Sequence, residues 1–455
     1  MSVPQTPEPA ADPDGPVERP AGARAVRTVE DVLVARLRQL GVRRTYGLEL
    51  RGLDHVPVGD PDVAVLLADA DGRLGHSDGS GRLGAATLAG PILHLSSAPG
   101  GTAVLQTVGS VEEMLDALVD PPGMGVPGTS AIHLDLDLHE PLDHDPLPSA
   151  SADRRPVMVL DPSLSGLRML VLAGPGVVRT SSHDGLRNLT RATGAPVVAT
   201  FGAIGLERWD SPFHAGVGGL QESDLALGGH DDADHVVVTG VDPAEVPPGR
   251  LDRLVVQQVP ERQLGALCHG WPPLGPVPVG RPSVRAALAP VLERLWETET
   301  VPVTGARAAL HLAGARPDDG VVVADPGPVG FWVARGAPSS VPGAICVPAT
   351  AEAGFAAAAG LVAALDGRPC LAVTDQAGAD SDATAAILDL AGVLGVPFGL
   401  QVWGDQGSMR DVTDHVALID RLLRSEDPSA RLVPVPVDLS LPDDLVELAG
   451  AITAW

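Results

Sequence analysis

Three short runs of the chain are apolar from end to end and then break into Gly or Asp. They are Met169–Leu172 before Gly174-Pro175-Gly176, Val321–Ala324 before Asp325, and Cys370–Thr374 before Asp375. A strand that is apolar at every position is buried on both faces, which happens where a parallel sheet is covered by helices. Helical periodicity lies between such runs. In Val29–Leu40 the residues Val29, Val32, Leu33, Leu37 and Leu40 share one face, Thr28 stands at the N-cap, and Gly41 closes the C-terminus. His183–Thr193 and Val284–Glu297 also read as helices. Strands are expected at Val63–Leu67, Pro91–Leu95, Ala131–Leu138, Pro196–Thr200 and His235–Thr239, and a helix at Val111–Leu118. Alternating strands and helices predict an α/β chain with doubly wound parallel sheets.

At 455 residues the chain exceeds what one hydrophobic core serves. A polar break at Ser149–Arg155 and a stretch dense in Pro and Gly from Gly270 to Arg281 divide it. The expected domains are 27–148, 156–280 and 300–455, with the helix at 284–297 as a bridge. Residues 1–26, rich in Pro, Ala, Asp and Glu, read as a disordered tail without the features of a signal peptide.

The 31 basic residues against 58 acidic ones give a formal charge of −27, and every fixed cation is an arginine. Without lysine there is no Walker-type phosphate loop, no Schiff-base enzyme and no lysine general base. The acidic balance disfavours nucleic acid and anionic membrane surfaces as partners. Cys268, Cys346 and Cys370 have no ligand or disulfide spacing, which fits a reducing cytoplasm. No apolar run reaches the ~20 residues that span a bilayer.

The chemistry concentrates near the C-terminus. Asp375 ends one apolar strand, Asp405 follows another at Phe398–Trp403, and Gly407 comes two residues later. Two parallel strands ending in carboxylates at one crevice offer oxygen ligands to Mg²⁺, although strand-end Asp residues also cap helices.

The segments LAVTDQ (371–376) and LGVPFGLQVWGDQG (394–407) resemble the motif of thiamine-diphosphate enzymes of the acetolactate synthase and 2-oxo acid decarboxylase type. In that family Gly-Asp-Gly is followed some thirty residues on by Asn-Asn. The resemblance implies that Asp375, Asp405 and the carbonyl of Gly407 hold the Mg²⁺ that anchors thiamine diphosphate. Thr374 and Gln376 replace the flanking glycines, and Gly404-Asp405 replaces the Asn pair. Upstream, VVVADPG (321–327) and AEAGFAAAAG (351–360) stand where the family binds the diphosphate. They add Asp325, Gly327, Ala353 and Gly354 to the cofactor contacts, with Gln376 beside Asp375.

LVLAGPGVV (170–178), RATGAPVVATFGAIGL (191–206) and DDADHVVVTGVDP (231–243) resemble the central domain of acetolactate synthase; no FAD requirement follows. LRQLGVRRTYGLEL (37–50) and ADADGRLGHSDGSGR (68–82) resemble the pyrimidine-binding domain, in a reduced form. In that register Ala70 occupies the place of the glutamate that assists loss of the thiazolium proton, and Asp69 and Asp71 flank it. The three units are thus expected to be pyrimidine-type, central and diphosphate-type domains. The resemblance implies a small 2-oxo acid substrate, carboligated or decarboxylated. It also implies a homodimer or homotetramer, or a hetero-oligomer with a competent homologue. The alternative is a catalytically silent homologue acting as partner subunit or scaffold, a pseudoenzyme. Gly75-His76-Ser77-Asp78-Gly79 matches a nucleophile-elbow pattern in the wrong context. The alternating run from His133 to Asp145 reads as a solvated strand face.

Overall fold

The computed structural model describes residues 27–77, 83–88, 92–96, 104–118, 129–142, 157–251, 256–272, 281–350, 353–424 and 431–455. The segment read as an N-terminal tail, residues 1–26, lies outside them. So do Asp78 and Gly79.

The first unit holds β1 (Arg44–Gly47), β2 (Asp54–Val56), β3 (Gly84–Leu88), β4 (Ile92–Ser96), β5 (Val104–Val108) and β6 (Thr129–Leu134), with α1 (Val29–Gln39), α2 (Pro61–Ser77) and α3 (Val111–Ala117). Its sheet runs β2-β1-β3-β4-β6-β5. The strands pair in parallel except β4, which is antiparallel to both neighbours. The middle unit holds β7 (Met169–Ala173), β8 (Val197–Thr200), β9 (His214–Gly218), β10 (His235–Thr239) and β11 (Val256–Gln258), with α4 (Pro175–Arg179), α5 (His183–Thr193) and α6 (Asp224–Leu227). Its parallel sheet runs β11-β10-β7-β8-β9.

The helix α7 (Val284–Glu297) leads to the third unit, with strands β12 (Val303–Thr304), β13 (Val321–Ala324), β14 (Ile345–Cys346), β15 (Cys370–Asp375), β16 (Gly399–Gly404) and β17 (Arg431–Asp438). Its helices are α8 (Gly305–Ala315), α9 (Pro328–Gly336), α10 (Phe355–Leu365), α11 (Gln376–Ala379), α12 (Asp382–Leu394), α13 (Thr413–Leu423) and α14 (Asp443–Ala449). The sheet is parallel throughout, in the order β12-β17-β16-β15-β13-β14.

Local signals explain much of this. At α1, Thr28 accepts from the Asp31 amide while the Asp31 carboxylate accepts from the Thr28 amide, and Gly41 follows with φ +83. One expectation fails: Val63–Leu67 is not a strand but the first half of α2. A five-residue apolar run fits either period, and here Pro61 at the start and the downstream Ala68, Ala70 and Leu74 extend it on a helical repeat. The strand expected at Ala131–Leu138 ends at Leu134, where Asp137 turns the chain by accepting from the His139 amide.

The units share cores rather than hanging as beads. Helix α10 is buried along Phe355–Ala363, with its own sheet on one side and α2 of the first unit on another. Its Ala and Gly residues permit that close approach; a Cβ at Gly360 would lie 2.6 Å from the Phe398 ring. The middle unit docks on the third through Arg335 of α9, whose guanidinium donates to both Asp224 oxygens at 2.7 and 2.8 Å and to the Val217 carbonyl.

Candidate functional site

The third sheet reverses its winding between β13 and β15. From β13 the chain moves outward to β14, whereas from β15 it moves the other way to β16 and β17. Such a topological switch point opens a crevice outside the carboxyl ends of the strands, the usual ligand site of doubly wound sheets. Asp325 and Asp375 stand at its two lips.

Asp325 is 4 % exposed. One carboxylate oxygen accepts from the Ala356 amide in the first turn of α10 at 2.7 Å, and the other accepts from the Thr374 hydroxyl. Burial pushes its pKa up, and the nearby Asp375 carboxylate pushes it further in the same direction. Asp375 caps α11 by accepting from the Gly378 amide at 2.9 Å, which occupies one carboxylate oxygen. The helix-capping role of a strand-end Asp is therefore real here. It leaves the second oxygen for another partner.

The register pairs Asp375 with Trp403 on β16, so the turn that follows β16 places Asp405 beside the same crevice, exposed. Gly407 adopts φ +115, and a Cβ there would meet the Pro434 carbonyl at 2.8 Å, so only glycine suits the position. Gly354, at φ +97, starts α10, and Gly327, at φ +103, starts α9. Ala353 is exposed just before Gly354. Gln376 opens α11 and donates to Asp380 rather than into the crevice. Gly378 packs against the crevice floor, where a Cβ would lie 2.1 Å from the Thr374 hydroxyl.

The first unit contributes differently from expectation. Ala70 is fully buried midway along α2. Asp69 accepts from Arg73 and from the Ser96 hydroxyl, and Asp71 accepts from the Tyr46 hydroxyl at 2.9 Å. Both carboxylates are engaged by partners inside the first unit. What α2 does present to the third unit is Arg73, which donates to the Thr350 carbonyl and stacks on the Phe355 ring at 5.7 Å. Arg73 was not singled out from sequence; an arginine spaced four residues after Asp69 was its only signal.

Two carboxylates and a carbonyl suit Mg²⁺, which fills its remaining positions with phosphate oxygens and water. Among the described residues no group of three or more His, Cys, Asp or Glu side chains is assembled for a metal, the His133–His139 face included. The mutual repulsion of Asp325 and Asp375 is what a divalent cation would relieve.

Residues 165–254 match the family described as thiamine pyrophosphate enzyme, central domain. The middle unit is thus similar to the central domain of thiamine pyrophosphate enzymes. No curated protein matches the chain. Among solved structures, a candidate thiamin diphosphate-dependent enzyme isolated from Mycobacterium smegmatis superposes with a TM-score of 0.59 at 15 % identity, covering 92 % of this chain and 100 % of that one. Its extent shows that the three-unit thiamine-enzyme fold spans the described chain, beyond the central domain alone.

The middle unit carries a second feature that the sequence did not reveal. At the carboxyl ends of its sheet, Arg179 is 4 % exposed, and none of its three guanidinium nitrogens has a hydrogen-bond partner among the described residues. Asp242, Glu261 and Glu245 lie close enough to act on it electrostatically. Glu245 accepts from the Thr200 hydroxyl at 2.5 Å and the Gly202 amide at 2.6 Å, yet burial raises its pKa to about 7.

A carboxyl whose folded pKa is raised contributes stability that is complete below its unfolded value of 4.5 and lost as pH rises through about 7. Glu245→Gln removes the charge, keeps an oxygen to accept from the Gly202 amide, and can donate its N–H to the Thr200 hydroxyl in place of the bond that Glu245 accepts there. It should raise unfolding free energy by roughly 2–3 kcal/mol at pH 8 and by little at pH 4.5. Urea titrations at the two pH values check this; an equal effect at both would show that Glu245 ionises normally.

Proposed function

We propose that this chain binds thiamine diphosphate with Mg²⁺ at the switch-point crevice of its third unit and serves acetolactate-synthase-type chemistry on a small 2-oxo acid. The observation that supports the reading is the register of β15 on β16, which pairs Asp375 with Trp403, two residues before Asp405. Asp375, Asp405 and the Gly407 carbonyl would hold the metal. Asp325, Gly327, Ala353 and Gly354 would line the diphosphate end, with the Asp325 carboxylate fixing the first turn of α10 and Gln376 contributing only its backbone at the start of α11. The bound cofactor would supply a carbon nucleophile for carboligation or decarboxylation. An extra carboxylate at Asp405, where the family has Asn, strengthens the pull on the cation and weakens tolerance for the diphosphate.

A specific observation favours the second reading, a catalytically silent homologue acting as a partner subunit or scaffold. With Ala70 buried and Asp69 and Asp71 consumed internally, residues 69–71 supply no proton carrier for the aminopyrimidine. In that case the chain pairs with a competent homologue; otherwise it forms a homodimer or homotetramer. The free thiols of Cys268, Cys346 and Cys370 suit a cytoplasmic setting, and no described helix is long and apolar enough to cross a membrane.

Calorimetric titration with thiamine diphosphate and MgCl₂ tests the cofactor assignment. Binding at micromolar cofactor that disappears with EDTA is expected, and Asp375→Ala should weaken it tenfold or more. No heat at millimolar cofactor, or an unchanged Asp375→Ala, would remove the metal assignment. Deuterium exchange of the bound thiazolium proton then separates the readings: exchange faster than in free cofactor marks the enzyme, and exchange no faster marks the silent homologue.

A further inference from the structure

The described residues enclose a cavity of about 450 Å³ at the amino ends of β7 and β8, on the edge of the middle sheet opposite its glycine-rich turns. This volume lies in the range of small-molecule sites. Its walls are largely apolar, formed by Leu167, Met169, Leu170, Pro196, Trp271 and Pro282.

One cation enters this apolar lining without an acidic partner. Helix α5 ends at Gly194, whose φ of +72 turns its carbonyl toward the cavity rim, and Arg281 donates one terminal nitrogen to that carbonyl. No described carboxylate pairs with Arg281, and its pKa is lowered by desolvation alone. The other cation at the rim is already matched. Arg168 is held by both oxygens of Asp234 at 3.0 and 3.2 Å, and Asp232 lies exposed beside Arg168. In a chain with 58 acidic and 31 basic residues, a partly desolvated guanidinium left without a carboxylate is the group that a ligand anion would satisfy.

We propose that this cavity binds a small amphipathic carboxylate, an aromatic or branched aliphatic acid of roughly ten to twenty heavy atoms. Its carboxylate pairs with the edge of Arg281 that Gly194 does not use, and its apolar body packs against Trp271, Met169 and Pro196. The site is separate from the crevice of the third unit, so it stands whether or not the chain binds thiamine diphosphate.

Calorimetric titration of the full chain with 3-phenylpropionate and 4-methylvalerate, against the neutral isostere 3-phenylpropanol, tests the inference without any activity. At least one acid should bind below millimolar concentration, and the alcohol should bind at least tenfold more weakly than 3-phenylpropionate. Arg281→Gln should weaken acid binding tenfold or more. Because Arg281 also holds Gly194, Leu167→Glu provides a variant that leaves this contact intact. Leu167 is 45 % exposed, so the substitution should fold, and its carboxylate should compete with the ligand to a similar extent. Absence of binding by both acids, equal binding of acid and alcohol, or acid binding unchanged in Leu167→Glu would overturn the assignment.

Discussion

Asp224→Ala is expected to lower unfolding free energy by about 3–5 kcal/mol, the cost of stranding one member of a buried ion pair. The side chains of Arg335 and Asp224 are 2 % and 0 % exposed, and the pair joins α9 of the third unit to α6 of the middle one. Asp224 has a further task, because one of the two oxygens that meet Arg335 also accepts from the Leu220 and Gln221 amides at 2.8 Å. Removing it orphans a guanidinium and two amides at once. Arg335→Met should cost less, since the Met side chain occupies the arginine's apolar space and Asp224 keeps its two backbone donors. Urea unfolding of both variants measures the difference; Asp224→Ala within 1 kcal/mol of the parent would mean that water already enters this junction.

Acidification should unfold the protein through histidines that the fold holds neutral. His311 of α8 and His415 of α13 face each other with Nδ1 atoms 3.2 Å apart, and Arg307 donates to His311 Nε2 at 2.9 Å. That bond makes Nε2 of His311 an acceptor and puts its proton on Nδ1, which donates to His415. The remaining proton of His415, on Nε2, then donates to Gln401 at 2.9 Å. Protonating either ring would set N–H against N–H, beside Arg307 and away from water.

Burial first, then Arg307, holds His311 at about 4; burial first, then His311, holds His415 at about 3. A histidine with a depressed folded pKa contributes stability that is complete above 6.5 and falls as the unfolded chain takes up the proton below it. Between pH 6 and 4.5 each such ring adds a slope of about 1.4 kcal/mol per pH unit. The double variant His311→Gln/His415→Gln should be shallower by about 2–3 kcal/mol per pH unit over that window. His94 and His214, each pushed down by burial to about 4, leave a residual slope. A slope identical to the parent's would show that the pair titrates as free imidazoles.

Single-position chemistry made the third unit readable from its letters. Apolar runs ending in Asp marked β13 and β15 because a strand buried on both faces tolerates little else, whereas the turn at Gly407 that a Cβ would block came from the structure. The α2 segment was misread as a strand because five apolar residues cannot distinguish a period of two from one of 3.6. Asp69 and Asp71 looked available for the same reason. On a helix inside the first unit they face Ser96 and Tyr46, partners 27 and 25 residues away that no local pattern names.

By itself the amino-acid order determined that the chain would wind largely parallel sheets, β4 of the first unit being the exception, and that carboxylates would stand at the strand ends of the last sheet. Burial on both faces of a strand restricts composition directly, so this much is written position by position. Only the tertiary structure decided what those carboxylates meet, along with the strand order that makes β13 and β15 the switch point, the sequestering of Asp69 and Asp71, the Arg335–Asp224 clasp, and Arg281 held by Gly194 with no described carboxylate beside it. Each depends on distances between segments far apart in the chain, which packing sets and local sequence does not encode.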